Sequence, residues 1–208
     1  MTNKFTLFRQ LILASLLIFA VACESDDIID EPEASETRSG TITIDASTYD
    51  RWVYFSFAQD KIVEIDDYTN SLDWDIGFHR QDIRVNCGTS GIGQGGSYDA
   101  GQVDFSSVSE APESGYVLND SIDIMLEFVM PPQYVRVPGD TLVANWIDIS
   151  YGQSGPVYNY NDHIYIIRTA DAKYAKIWLK NYFSDTGESG FVTMKYKYQS
   201  DGSRNLKD

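Results

Sequence analysis

The chain has 208 residues, with 31 acidic side chains against 16 basic ones and a formal net charge of −15. That balance excludes a nucleic-acid partner, which requires a basic footprint. The length suffices for one domain with a sizeable core, and two cysteines are too few for a disulfide framework.

Lys4 and Arg9 precede Leu11 to Ala22, a run of apolar and small residues broken by Ser15 and closing on Ala20-Val21-Ala22. This is the layout of a signal peptide over 1–22, and it is short for a membrane span. Cys23 follows directly, in the place of a lipidated cysteine, although Ala20 stands where leucine is usual. The pattern predicts acyl chains on Cys23, stable anchorage to a membrane and a mature chain folded in water. Cleavage removes Lys4 and Arg9 and takes the charge from −15 to −17, a balance that anionic headgroups repel. Cys87 is then the remaining thiol, with Arg84 as its nearby cation in sequence, and a buried inert thiol is expected. Residues 24–39, ESDDIIDEPEASETRS, carry seven acids and a proline and have little to bury. They are expected to form, with Cys23, a flexible tether over 23–39. Acids directly after the cysteine also resemble the surface-export signal of Bacteroidetes lipoproteins.

From Gly40 to Ser200 the periodicity is mostly two. Thr41–Ile44 alternates, and so does Phe191–Tyr198, with Lys195 and Lys197 on one face and Tyr196 and Tyr198 on the other. Between them, aromatic and β-branched runs occur at Trp52–Phe57, Ile62–Ile65, Trp74–His79, Ile83–Cys87, Ile122–Met130, Leu142–Ser150, Val157–Arg168 and Tyr174–Tyr182. Turn-type residues separate most of them. Ser106–Ser114 could hold a short helical turn and nothing longer. The pattern predicts one all-β domain over 40–200, made of many short and mostly antiparallel strands. Residues 201–208 read as a flexible tail.

Gly91-Ile92-Gly93-Gln94-Gly95-Gly96 matches G-x-G-x-x-G after a strand-like run. A dinucleotide fingerprint needs a helix starting at those glycines to face the pyrophosphate. Ser97 to Phe105 contains Gly101 and alternating residues, which favour a loop and another strand. Gly91, Gly93, Gly95 and Gly96 are therefore expected to serve left-handed φ or close backbone approach.

Catalytic patterns are scarce. There is no G-x-S-x-G, no H-E-x-x-H and no Cys/His spacing for zinc. His79 is expected to be a hydrogen-bonded structural histidine and His163 to sit at a surface or rim. Asp66-Asp67 lacks the glycine and glutamate of a calcium loop, and Asp73 with Asp75 reads as a solvated edge. Fourteen tyrosines and four tryptophans suit either ligand-facing rings or an ordinary sheet. The composition points to binding, not to an enzyme.

Several stretches, in order, resemble the HmuY family of haem-binding lipoproteins. They are Thr43–Ser47 with Tyr49, Trp52–Phe57, Leu72–Asp75 with His79-Arg80, Asn86-Cys87-Gly88 with the glycine loop, Trp146–Ser150 with Gly155-Pro156 and Tyr158, and Arg168 with Ala170-Asp171 and Ala175-Lys176. The resemblance runs from about Thr41 to Tyr198. It implies an all-β fold and haem held between two axial ligands on neighbouring loops. Where family members carry histidines, this chain has Tyr151 at one position. At the other it has Tyr134 or Val135, with Met130 nearby. The expected axial candidates are therefore Tyr151 with Met130 or Tyr134. Tyrosinate would favour ferric iron and methionine ferrous iron. Loss of the haem pocket, with these rings kept for packing, stands as the alternative. His79 matches a histidine that the family does not use on iron.

The resemblance implies haem or porphyrin as ligand, held at the outer membrane or cell surface, and a TonB-dependent transporter as partner. A binding module for a glycan or peptide, or an accessory lipoprotein of a transport complex, are the other readings.

Overall fold

The structure is a computed structural model and describes residues 37–208. The signal segment, Cys23 and the tether up to Glu36 lie outside the described residues. The strands are β1 (Arg38–Asp45), β2 (Val53–Ser56), β3 (Lys61–Val63), β4 (Ile76–His79), β5 (Asp82–Val85), β6 (Gly96–Asp99), β7 (Asp120–Glu127), β8 (Gln133–Gly139), β9 (Ile147–Gly152), β10 (Gly155–Tyr160), β11 (Ile164–Arg168), β12 (Tyr174–Phe183) and β13 (Ser189–Gln199). The described chain is all-β, as the period-two runs predict, and helix is limited to three short 3-10 turns.

A five-stranded sheet of order β1-β13-β12-β11-β6 and a four-stranded sheet of order β3-β2-β4-β5 enclose the main core. All their pairings are antiparallel. Two further hairpins, β7–β8 and β9–β10, form separate two-stranded sheets. Alternation explains which side chains meet. Val192, Met194, Tyr196 and Tyr198 of β13 enter the main core with Phe55, Phe57, Ile76 and Phe78. The run Ile164–Ile167 reads as continuously apolar because both faces of β11 are covered. Tyr165 and Ile167 face the main core, while Ile164 and Ile166 face a second cluster with Phe105, Val108, Ala111 and Leu206.

Several expectations change. The run Val157–Arg168 divides into β10 and β11, because Asn161-Asp162-His163 intervenes and Asp162 has φ 54°. The run Leu142–Ser150 begins as a 3-10 turn, whose N–H groups at Leu142 and Val143 donate to the Asp140 carboxylate at 2.9 and 2.8 Å. The segment Met130–Val135 is expected to be a loop, but β8 starts at Gln133 and pairs Tyr134 with Met125. Two prolines there disguise the returning strand. β6 lies before Gly101, within the glycine-rich stretch, and pairs with β11.

The expected flexible tail 201–208 is packed instead. Leu206 is fully buried in the second cluster, and its N–H donates to Ser109 O at 2.9 Å. Asp208 pairs at 2.9 Å with Lys176, whose buried ammonium also donates to Phe105 O and Val108 O. An apolar side chain and a carboxylate that both find partners hold the segment down.

Asp75 overturns the expectation of a solvated edge. It is 4% exposed. Its carboxylate accepts from Phe57 N at 2.8 Å and from Ala170 N at 3.0 Å, joining the end of β2 to the loop after β11. Burial outweighs these two bonds and pushes the carboxyl up to about 6.

Asp75→Ala strands two buried N–H groups and should lower the unfolding free energy by about 3 kcal/mol, measured by urea denaturation. The Asp75 carboxyl lies above its unfolded value, so the stability from its protonation is full below pH 3.8 and lost as pH rises through about 6. The difference in stability between wild type and Asp75→Asn should therefore vary across that window, by at most about 1.4 kcal/mol per pH unit, and be flat above it. Leu206→Ala should cost about 2–4 kcal/mol in the same assay if the terminal segment belongs to the cooperative fold.

Candidate functional site

A cleft of about 370 Å³ opens where the two hairpins meet one end of the main sheets. Its floor is built first. Arg80 and Gln81 form the turn between β4 and β5, which puts both at the end of the central strand. Gln81 O accepts from the Trp146 indole at 2.9 Å, and its amide oxygen accepts from the Tyr182 hydroxyl at 3.0 Å. Trp146 is buried against Tyr160 and Tyr182, with ring centroids 5.8 and 6.1 Å away. Tyr182 reaches this place through register shifts between Leu179, Asn181 and Phe183. Without them strict alternation from Leu179 would turn Tyr182 away from the core. Burial holds its phenol well above the usual tyrosine range, so it acts here as a neutral hydrogen-bond donor.

The walls follow from hairpin register. Met125 of β7 pairs with Tyr134 of β8. Ile149 pairs with Tyr158, and Tyr151 with Pro156, across β9 and β10. Cross-strand partners share a face, and these three pairs all line the cleft, with Phe128 beside them. Tyr134 and Tyr151 are 59% and 69% exposed, and among the described residues neither hydroxyl has a hydrogen-bond partner. The structure thus brings two of the three axial candidates to one cleft. Met130 is 87% exposed, next to the cis bond to Pro131 at the hairpin tip, and does not line the cleft. The thioether that does is Met125. Sequence reasoning missed Met125, Phe128 and Tyr182 as site residues. Met125 follows the alternation of β7 and could have been marked had β8 been recognised; Phe128 lies past the end of β7, beyond a register shift at Met125/Glu127 that alternation does not reveal.

One guanidinium faces this aromatic setting. Arg80 lies over the Tyr49 ring at 4.3 Å and near Tyr182 at 5.9 Å. It donates to Ser47 O and, at 2.9 Å, to Ser189 Oγ. The cleft therefore offers ring faces, two free phenols, a thioether and a cation. Phenolate oxygen and thioether sulfur are both donors that iron accepts.

The other predicted residues lie elsewhere. His79 is buried, with Nε2 2.9 Å from Tyr49 O and Nδ1 3.4 Å from Asp82. Its ring lies 5.3 Å from Trp52. His163 is partly buried and bonds Asp99 at 2.8 Å. The glycine loop wraps around the buried side chain of Asn86, which donates to Ser71 O and Trp74 O and accepts from Gly93 N. A Cβ at Gly91 or Gly93 would collide with Asn86, and one at Gly95 would lie 2.6 Å from Asn86 O. Close approach is thus the need these glycines meet; none of the four, including Gly96 at the start of β6, has a left-handed φ. β6 follows the loop in place of the helix that a dinucleotide fingerprint requires. Cys87 is buried beside Asn119, whose N–H points at Sγ at 3.4 Å. Burial pushes its thiol up to about 11.

A two-sheet β-protein with an aromatic cleft at its hairpin end is the class that fold and site define. The chain belongs to the HmuY family, whose description "HmuY protein" matches residues 48–196. Among solved structures it is similar to one from Bacteroides vulgatus ATCC 8482 provisionally described as an HmuY-like haem-binding protein. The identity is 26% and the TM-score 0.62, over 76% of this chain and 90% of that one. It also shares the fold of the apo HmuY analog of Tannerella forsythia, at 22% identity and TM-score 0.65 over 80% and 98% of the two chains. A provisionally named lipoprotein of Bacteroides fragilis NCTC 9343 has the same fold, at 20% identity and TM-score 0.61 over 79% and 90%. A search of curated proteins found no match.

Iodoacetamide at pH 8 should leave Cys87 unmodified in the folded domain and alkylate it in urea. Rapid labelling of the native protein, followed by mass spectrometry, would contradict a sealed thiol.

Proposed function

We propose that the protein binds haem or a related porphyrin in the cleft between the β7–β8 and β9–β10 hairpins. The observation that carries this reading is the convergence of Tyr134 and Tyr151 on one apolar cleft, in a chain of the HmuY family. The residues present suit the group. Phe128, Ile149 and Pro156 offer apolar contact to a macrocycle, and the two phenols and the Met125 thioether are donors for its iron. Bound haem would supply an iron with axial positions to be filled. The protein's part is to hold the ring in place, cover it and provide oxygen or sulfur donors. Tyr151 and Tyr134 are the first choice for that role, and Met125 replaces Met130 as the sulfur that faces the cleft.

Capture rather than catalysis fits the remaining groups. Both histidines are engaged in hydrogen bonds, and the one described cysteine is buried. The lipidation signal at Cys23 supports attachment to the outer membrane, with the ligand passed on to a TonB-dependent transporter. The described lipoprotein among the similar folds is in keeping with that placement.

The domain from residue 37 onward should shift the Soret band of haemin and lose tryptophan fluorescence on titration, in the ferric or the ferrous state. Absence of both changes in both states would refute haem binding. Tyr151→Phe and Tyr134→Phe should each change the ferric spectrum, whereas Met130→Ala should leave it unaltered. Identical spectra for both tyrosine variants would reject phenolate ligation. Glycan capture by a domain that ignores haemin would favour a different binding module.

A further inference from the structure

Arg80 is built into its position from several sides. It has φ 54°, an uncommon conformation for a residue with a side chain, and its N–H donates to Ala46 O at 3.0 Å. Gly190, with φ 98°, lets the Ser47 backbone approach, since a Cβ there would lie 2.6 Å from Ser47 Cα and 3.2 Å from Arg80 Nη1. Tyr49 covers one face of the group, and Ser47 O and Ser189 Oγ use two of its donors. A guanidinium has five N–H donors, so three stay unused. Among the described residues no ion pair includes Arg80. Asp82, two residues away, feels the charge of Arg80 but hydrogen-bonds to His79 and makes no ion-pair contact with the guanidinium. In a chain carrying 31 acidic side chains, a clamped cation with no carboxylate in ion-pair contact, on the floor of an apolar cleft, can take an anion. Arginine's planar fork matches a carboxylate with two parallel bonds.

We infer that Arg80 is the anion anchor of the cleft. It takes a carboxylate of the ligand, so the site selects planar macrocycles with free carboxylates over their neutral esters. This rests on the tetrapyrrole reading and adds a specificity-determining residue remote from any iron donor. The floor fixes the cation, while the hairpin walls meet the ring. Orientation of the ligand in the cleft then comes from Arg80, not from the exposed phenols.

The test is absorbance titration of the domain with haemin and with haemin dimethyl ester, using wild type, Arg80→Gln and Arg80→Lys. Thermal unfolding checks that each variant is folded. The expected result is that Arg80→Gln weakens haemin about tenfold, as for loss of a charge-assisted bond. Arg80→Lys should lose less, and the ester should bind wild type and Arg80→Gln alike. Equal haemin affinity in wild type and folded Arg80→Gln would overturn the anchor and leave haem binding intact. If Arg80→Gln does not fold, wild type alone decides: equal affinity for acid and ester overturns the proposal, and preference for the acid supports it. If wild type binds neither compound, the tetrapyrrole reading itself fails, and the anchor with it.

Discussion

The carboxylate of Asp75 is the point at which the two main sheets are tied. It stands just before β4, in the centre of the four-stranded sheet, and reaches Phe57 N on one side and Ala170 N on the other. Its own N–H donates to Phe55 O, and its carbonyl accepts from Asn86 N. Four segments therefore meet at one residue. A buried carboxylate is a costly way to make such a joint. It is tolerated because two backbone N–H groups, which would otherwise be orphaned, are satisfied together. The other end of β4 is the Arg80-Gln81 turn. A strand of four residues runs from the inter-sheet joint to the floor of the cleft. The position of the site is thus set by the packing of the core.

Floor and walls of the cleft are built differently. Half-buried Gln81 and buried Trp146 and Tyr182 form a connected group in which the indole N–H and the phenol both find partners on Gln81. The walls are two-stranded hairpins, an arrangement of marginal stability on its own. They expose Phe128, Tyr134 and Tyr151. A planar apolar ligand would cover surface that the hairpins leave in water, and its burial would stabilise them. The rigid part supplies position and charge, and the exposed part supplies contact area.

What could be read from the sequence follows the same division. Period-two runs in the core strands are visible because one face, or both, is buried. β13 is therefore plain, and with it the all-β class, whereas β11 shows only as the end of a longer run. β8 is obscure because Pro131 and Pro132 precede it, Pro138 lies within it and its residues are mostly exposed, so burial leaves no pattern in it. Asp75 was misread because an acidic residue beside Asp73 looks solvated until the two distant N–H donors are in view. Tyr182 needed the bulge in β12, which alternation cannot reveal. The glycines around Asn86 carried a misleading nucleotide signature, since close backbone approach produces the same residue choice in either setting. In the candidate site, Tyr134 and Tyr151 are visible from the sequence only as what the family resemblance implies. Met125 is not, because its place depends on the register with β8.

Fold and cleft lining are under different physical constraints. Tyr134 and Tyr151 touch no buried polar partner, so replacing them costs the core little. The Gln81–Trp146–Tyr182 floor has no such freedom, since each member satisfies a buried atom of another. Side chains on the exposed hairpin faces can therefore change while the floor and the inter-sheet joint persist. Similarity of fold therefore does not by itself carry the chemistry of the cleft. The chemistry must be argued from the side chains that stand in the walls, and here those are two phenols and a thioether facing a clamped guanidinium.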